Sequence, residues 1–76
     1  MTAKNLLDRI TYNPRQSGGR PGIRGIRISV SDILEMLAEN VSSGEILEYF
    51  PDLEEEDIQA CLLFVARRTN IPKLTV

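Results

Sequence analysis

A two-residue period comes first along this chain. In RITYN, residues 9–13, Ile10 and Tyr12 alternate with Arg9, Thr11 and Asn13. In GIRISV, residues 25–30, Ile26, Ile28 and Val30 alternate with Arg27 and Ser29. Each reads as a short half-buried strand. The stretch between them is glycine-rich and holds Pro14 and Pro21, which cannot donate to a ladder, so it reads as the connection of a two-stranded ribbon. Paired this way, Arg9 and Arg27 share the face turned from the core. A lone ribbon is marginal in water, so its apolar face needs helices or another chain beneath it.

From Ser31 the period lengthens. Ile33, Leu34, Leu37 and Val41 recur at helical spacing, with Ser31 as the predicted N-cap and Asp32 in the first turn. Ser42 and Glu45 then form an S-x-x-E capping box, with Val41 placed to staple against Ile46. Ile46, Leu47 and Phe50 make the apolar face of this second, short helix, which Pro51 ends. A third helix is predicted over about 54–68. Glu54, Glu55, Glu56 and Asp57 crowd its start and Arg67 and Arg68 its end, as the helix dipole favours. The four acids are consecutive, so they fan around the helix as a solvated first turn. The helix middle, ACLLFVA from Ala60 to Ala66, is apolar on every side, and a three-helix domain covers only one of them. Leu62, Leu63 and Phe64 are therefore expected to meet a second chain. The tail, residues 70–76, carries Ile71, Leu74 and Val76 around Pro72, and both a frayed end and an extended docking segment fit it.

The predicted architecture is thus one mainly α domain over residues 1–76. A two-stranded β-ribbon occupies 9–30, and a three-helix, helix-turn-helix-like bundle occupies 31–69. A domain of 76 residues buries only about 60% of its unfolded surface. A disulfide cannot supplement that core, because Cys61 is the single cysteine, and without histidine a zinc site is not expected. Oligomerisation remains, so a homodimer or higher oligomer is expected. The lone thiol and the lack of a signal-peptide pattern or membrane span point to the cytoplasm.

The net charge of −2 conceals a division. Through Ser31, six cations face Asp8 alone, a net of +5; from Asp32 onward ten acids face Arg67, Arg68 and Lys73, a net of −7. Two readings stand: a basic arm with an acidic partner of its own, or two halves that attract each other.

The candidate chemistry is thin. Gly19, Gly22 and Gly25 are spaced G-x-x-G-x-x-G, which is neither a P-loop nor the dinucleotide fingerprint, and the loop leads into a strand rather than a helix N-terminus. Glycines that permit positive φ in an irregular connection explain it. Without histidine neither Cys61 nor a serine has its usual base, so no catalytic residue, cofactor or metal is assigned and no enzyme is expected. DNA binding is more plausible, since PDL joins the second and third helices in a helix-turn-helix-like way. The residues that would meet the bases are Glu54 to Asp57, however, and carboxylates oppose phosphate. Any DNA contact is therefore expected from Arg9, Arg20, Arg24 and Arg27.

RITYNPRQSGGRPGIRGIRISVSDILEML followed by ILEYFPDLEEEDIQACLLFVA resembles the short prokaryotic proteins of domain-of-unknown-function family four-three-three. The resemblance covers roughly Arg9 to Ala66, and its most specific part is G-G-x-P-x-I-x-G-x-R-I from Gly18 to Ile28. It implies a homeodomain-like three-helix fold with an N-terminal ribbon. It also implies an antitoxin role opposite a PIN-like ribonuclease toxin. Ile26 departs from the family's usual threonine, Phe50 from tyrosine, and Glu54 from a Ser/Thr helix cap. In such a pair Arg20, Arg24 or Arg27 would reach the nuclease's carboxylate cluster bidentately. Arg24→Glu or Arg27→Glu would then weaken binding and leave the fold intact. The alternative is a stand-alone DNA-binding regulator; a ribbon–helix–helix dimer ranks lower because it leaves the third helix unexplained.

Overall fold

The computed structural model describes residues 2–12 and 19–69. In order they form α1 (Ala3–Leu7), β1 (Ile10–Tyr12), β2 (Pro21–Ile23), β3 (Ile26–Ser29), α2 (Val30–Ala38), α3 (Ser43–Tyr49) and α4 (Glu55–Thr69). The protein is mainly helical with an antiparallel sheet in the order β1-β2-β3. Residues 13–18, with Pro14 and Gly18, and the tail 70–76 lie outside the described residues.

The sheet differs from the predicted ribbon. A third strand, β2, lies inside the glycine-rich connection and between the other two. Pro21 is its first residue, opposite Tyr12, and the first residue is one of the few strand positions where a missing N–H costs little. A two-residue turn, Arg24-Gly25, joins β2 to β3, and both residues have positive φ, +47° and +74°. That combination suits the right-handed twist of a hairpin. Ile23 pairs with Ile26 to close the turn, and a bulge then shifts the register so that Gly22 faces Ser29.

Strand gives way to helix at Ser29, not Ser31. Ser29 Oγ accepts from the Asp32 N–H (3.1 Å), and the Asp32 carboxylate accepts from the Ser29 N–H (3.0 Å), a complete capping box. Ser31 has Leu34 three residues on, which cannot reciprocate. Val30, read as a strand residue, is therefore the first residue of α2, and it still enters the core. The predicted box at Ser42 and Glu45 forms as expected, capping α3. The third predicted helix is α4, displaced by one residue at each end.

The core joins Ile23 of β2, Val30 and Ile33 of α2, Ile46 of α3, Leu53, and Ile58, Ala60 and Cys61 of α4. Burial of the Cys61 thiol and the nearby Asp57 charge push its pKa up to about 12. The prediction that α4 lacks cover on one side needs correction, because α1 packs along it. This five-residue helix has no periodic pattern to announce it; Thr2 caps it by accepting from the Asn5 N–H (3.2 Å). Leu63 and Phe64 are consequently half-buried, while Leu62 stays 50% exposed. Among the described residues no helix is long and apolar enough to cross a membrane.

Candidate functional site

The feature to which both charge halves converge is Asp57. It occupies the third position of α4, and its side chain is fully buried. Oδ1 accepts from Arg9 Nη1 (2.9 Å) and Arg24 Nε (3.0 Å). Oδ2 accepts from Arg24 Nη2 (2.8 Å) and the Glu54 N–H (2.8 Å). The Arg24 fork is thus bidentate, the strongest common geometry for this pair. Arg9 also donates to Glu54 Oε1 (2.7 Å), and Arg24 Nη2 to the Asp52 carbonyl (2.7 Å). Two guanidiniums meet two carboxylates, so the cluster is neutral.

Local structure explains each placement. Glu54 stands where a Ser or Thr would cap α4, and its side chain turns to Arg9 instead. Asp57 supplies the other half of a capping box by accepting the Glu54 N–H, which brings its carboxylate inward. Arg9 lies in the α1–β1 turn, before the alternation of β1 begins, so the prediction that it shares an outer face with Arg27 does not hold. Arg24 takes a left-handed conformation that a side chain seldom adopts, and its three donated hydrogen bonds hold it there. Burial alone would raise the Asp57 pKa. Hydrogen bonds from Arg24, the Glu54 N–H and Arg9 outweigh that and hold it below the ordinary carboxylate value.

Two of the four arginines assigned to an outside partner, Arg9 and Arg24, are therefore engaged by the protein's own acidic half. The expectation of a uniformly solvated acidic first turn is corrected at Asp57 alone: the acids do fan out, and this one points inward. Sequence reasoning missed Asp57 because a fourth consecutive acid looks like its neighbours. The available signal was spacing, since Asp57, Cys61 and Phe64 share the buried stripe of α4.

Arg20 and Arg27 are exposed. Arg27 lines a groove of about 300 Å³ together with Asp32, Glu35 and Glu39, over a floor that includes Met36 and Phe50. A second groove, of about 290 Å³, runs between α1, β1 and the end of α4. Leu7, Ile10, Tyr12 and Phe64 line it with Arg67 and Arg68. Arg68 is fixed there, donating to Tyr12 Oη (2.7 Å) and lying 4.7 Å from the Phe64 ring centre. No group of three acidic or cysteine side chains among the described residues is placed to hold a metal.

No curated protein and no solved structure matches the chain. One family does, described as a protein of unknown function (DUF433), and its match extends over residues 10–65. That span takes in all three strands, α2, α3, the first eleven of the fifteen residues of α4 and, of the buried cluster, Asp57, Glu54 and Arg24 but not Arg9. The chain belongs to this DUF433 family.

Proposed function

We propose that this protein is an antitoxin-like interaction protein that binds and neutralises a PIN-like ribonuclease toxin in the cytoplasm. The observation that carries this reading is where the charge is left after folding. Arg9 and Arg24 are consumed internally, so the exposed charge around the remaining arginine of β3 is acidic: Asp32, Glu35 and Glu39 share its groove. A ribonuclease must present a basic surface to RNA, and a carboxylate-lined face complements such a surface. Half-exposed Leu62 adds apolar area of the kind that protein interfaces bury. Arg27, exposed on β3, remains a cation that the nuclease can meet, and Arg20 is exposed immediately before β2. Arg9 and Arg24 leave the contact set, and Arg24→Glu, expected from sequence to spare the fold, would instead set a carboxylate against buried Asp57.

The same charge balance places DNA binding second, as an autoregulatory activity of Arg20 and Arg27. The arrangement of α2, α3 and α4 proposed here is homeodomain-like, with residues 50–54 as the turn of a helix-turn-helix, but the exposed start of α4 offers carboxylates to a phosphate backbone.

The test is purification of the tagged chain from its native host after nuclease treatment, followed by an RNA-cleavage assay on what it retains. A co-purifying PIN-like nuclease in stoichiometric amount, inhibited by added chain and less inhibited by Glu35→Lys/Glu39→Lys, is the expected result. Recovery of the bait alone, or a nuclease whose activity the chain does not reduce, overturns the proposal. A DNA fragment shifted at low salt, with log affinity falling about 0.9 per phosphate neutralised, would promote the regulator reading.

A further inference from the structure

The groove between α1, β1 and the end of α4 has a floor of Leu7, Ile10 and Phe64 and a cationic rim of Arg67 and Arg68. Neither rim arginine has an ion-pair partner among the described residues. Arg68 is already held by Tyr12 and Phe64, so little ordering remains to be lost when an anion arrives. At about 290 Å³ the groove lies at the lower limit of small-molecule pockets, roughly 300–1,000 Å³, and it is open to one side. An inserted side chain from another macromolecule fits it better than a free ligand.

The chain itself carries the complement. Tyr49, at the end of α3, is 65% exposed, the most exposed of the large apolar side chains described. Glu48 precedes it and Asp52 follows within one turn, both exposed. An aromatic side chain flanked by carboxylates is what an apolar groove with an arginine rim selects. The two features cannot meet within one molecule. Tyr49 lies near the start of α4 and the groove near its end, and the 15 residues of that helix span about 22 Å.

We infer that the groove receives Tyr49 of a second copy of this chain, with Glu48 and Asp52 of that copy paired to Arg67 and Arg68. The contact is heterologous, knob to groove, so it propagates from copy to copy and ends in a closed ring or an open string. It also supplies apolar burial that a domain of this size is short of. The inference is independent of the antitoxin reading, because it concerns only copies of this chain.

Sedimentation velocity on the full chain tests it, over protein concentrations up to roughly millimolar and at low and high salt. Wild type should show mass rising with concentration and falling with salt. Tyr49→Ser and Arg67→Glu, both at exposed positions, should each sediment as monomers while keeping the wild-type circular dichroism spectrum. Mixing the two variants should give a species that stops at the dimer, since one groove and one knob survive between them. A wild type that stays monomeric throughout overturns the inference. So does an oligomer that both variants leave unchanged, which would place self-association on another face.

Discussion

Replacing Asp57 by asparagine keeps the side chain's shape and removes its charge from between two guanidiniums. Each carboxylate oxygen accepts two hydrogen bonds, Oδ1 from Arg9 and Arg24 Nε, Oδ2 from Arg24 Nη2 and the Glu54 N–H. Whichever way the amide is turned, its NH₂ group confronts two donors. Two hydrogen bonds to a charged acceptor are therefore lost. At the low end of about 1.5–3 kcal/mol each, since Arg9 and Arg24 retain contact with water, the cost is about 3 kcal/mol. The range for breaking a buried ion pair, about 3–5 kcal/mol, begins at the same figure. For a 76-residue domain the total stability is on the order of 4–11 kcal/mol, so roughly a quarter to three quarters of it is at stake. The assay is thermal unfolding followed by circular dichroism. A loss of about 3 kcal/mol lowers Tm by about 12–24 °C in a domain of this size. Asp52→Asn, whose side chain is exposed, serves as the control and should stay within about 0.5 kcal/mol of wild type. A Tm for Asp57→Asn within about 4 °C of wild type would refute the assignment of the cluster as a principal support of the fold.

The same carboxylate makes stability pH-dependent. Its folded pKa is depressed, so its contribution is complete above the unfolded value of about 3.9 and is lost as pH falls below it; wild type should lose stability there more steeply than Asp57→Asn, as urea titrations at stepped pH would show. Cys61, with its thiol raised to about 12 inside the core, should resist a disulfide-exchange reagent at pH 8 in the native protein and react promptly in denaturant; fast native reaction would contradict its burial. Ser42→Ala removes the cap of α3 and should cost about 1 kcal/mol, read as a lower urea midpoint at unchanged slope. Arg27→Glu, exposed and without an ion-pair partner among the described residues, should leave Tm within a few degrees of wild type, whereas Arg24→Glu should lower it sharply.

What could be read along the chain followed from how local each cause is. The capping box at Ser42 and the length of α4 are set by residues a turn apart, and the pattern contains them. The start of α2 was misplaced because two serines competed and only the reciprocal aspartate at position 32 separates them. β2 escaped notice since PGI has no alternation; its strand character comes from lying between β1 and β3. α1 was invisible for a related reason, being too short to show a period and held by α4. Asp57 is the clearest case. Its burial depends on Arg9 and Arg24, 48 and 33 residues away, and locally only its helical spacing with Cys61 and Phe64 sets it apart from the three acids before it. The two-halves reading of the charge split did contain the answer for these arginines, without naming the pair.

Arg24 also has a bearing on how the molecule opens. Its backbone N–H is bonded to the Arg9 carbonyl (2.8 Å) at the corner of a hairpin whose left-handed residue is unfavourable alone, while its guanidinium is fastened to the start of α4. The turn is therefore steadied by that helix, and the buried Asp57 receives its bidentate partner only when the turn is in place. Amide hydrogens of Arg24 in the hairpin and of Glu54 at the helix start should exchange with solvent at a common rate, as one unit. The basic and acidic halves of this chain are, in that sense, expected to open as one cooperative unit.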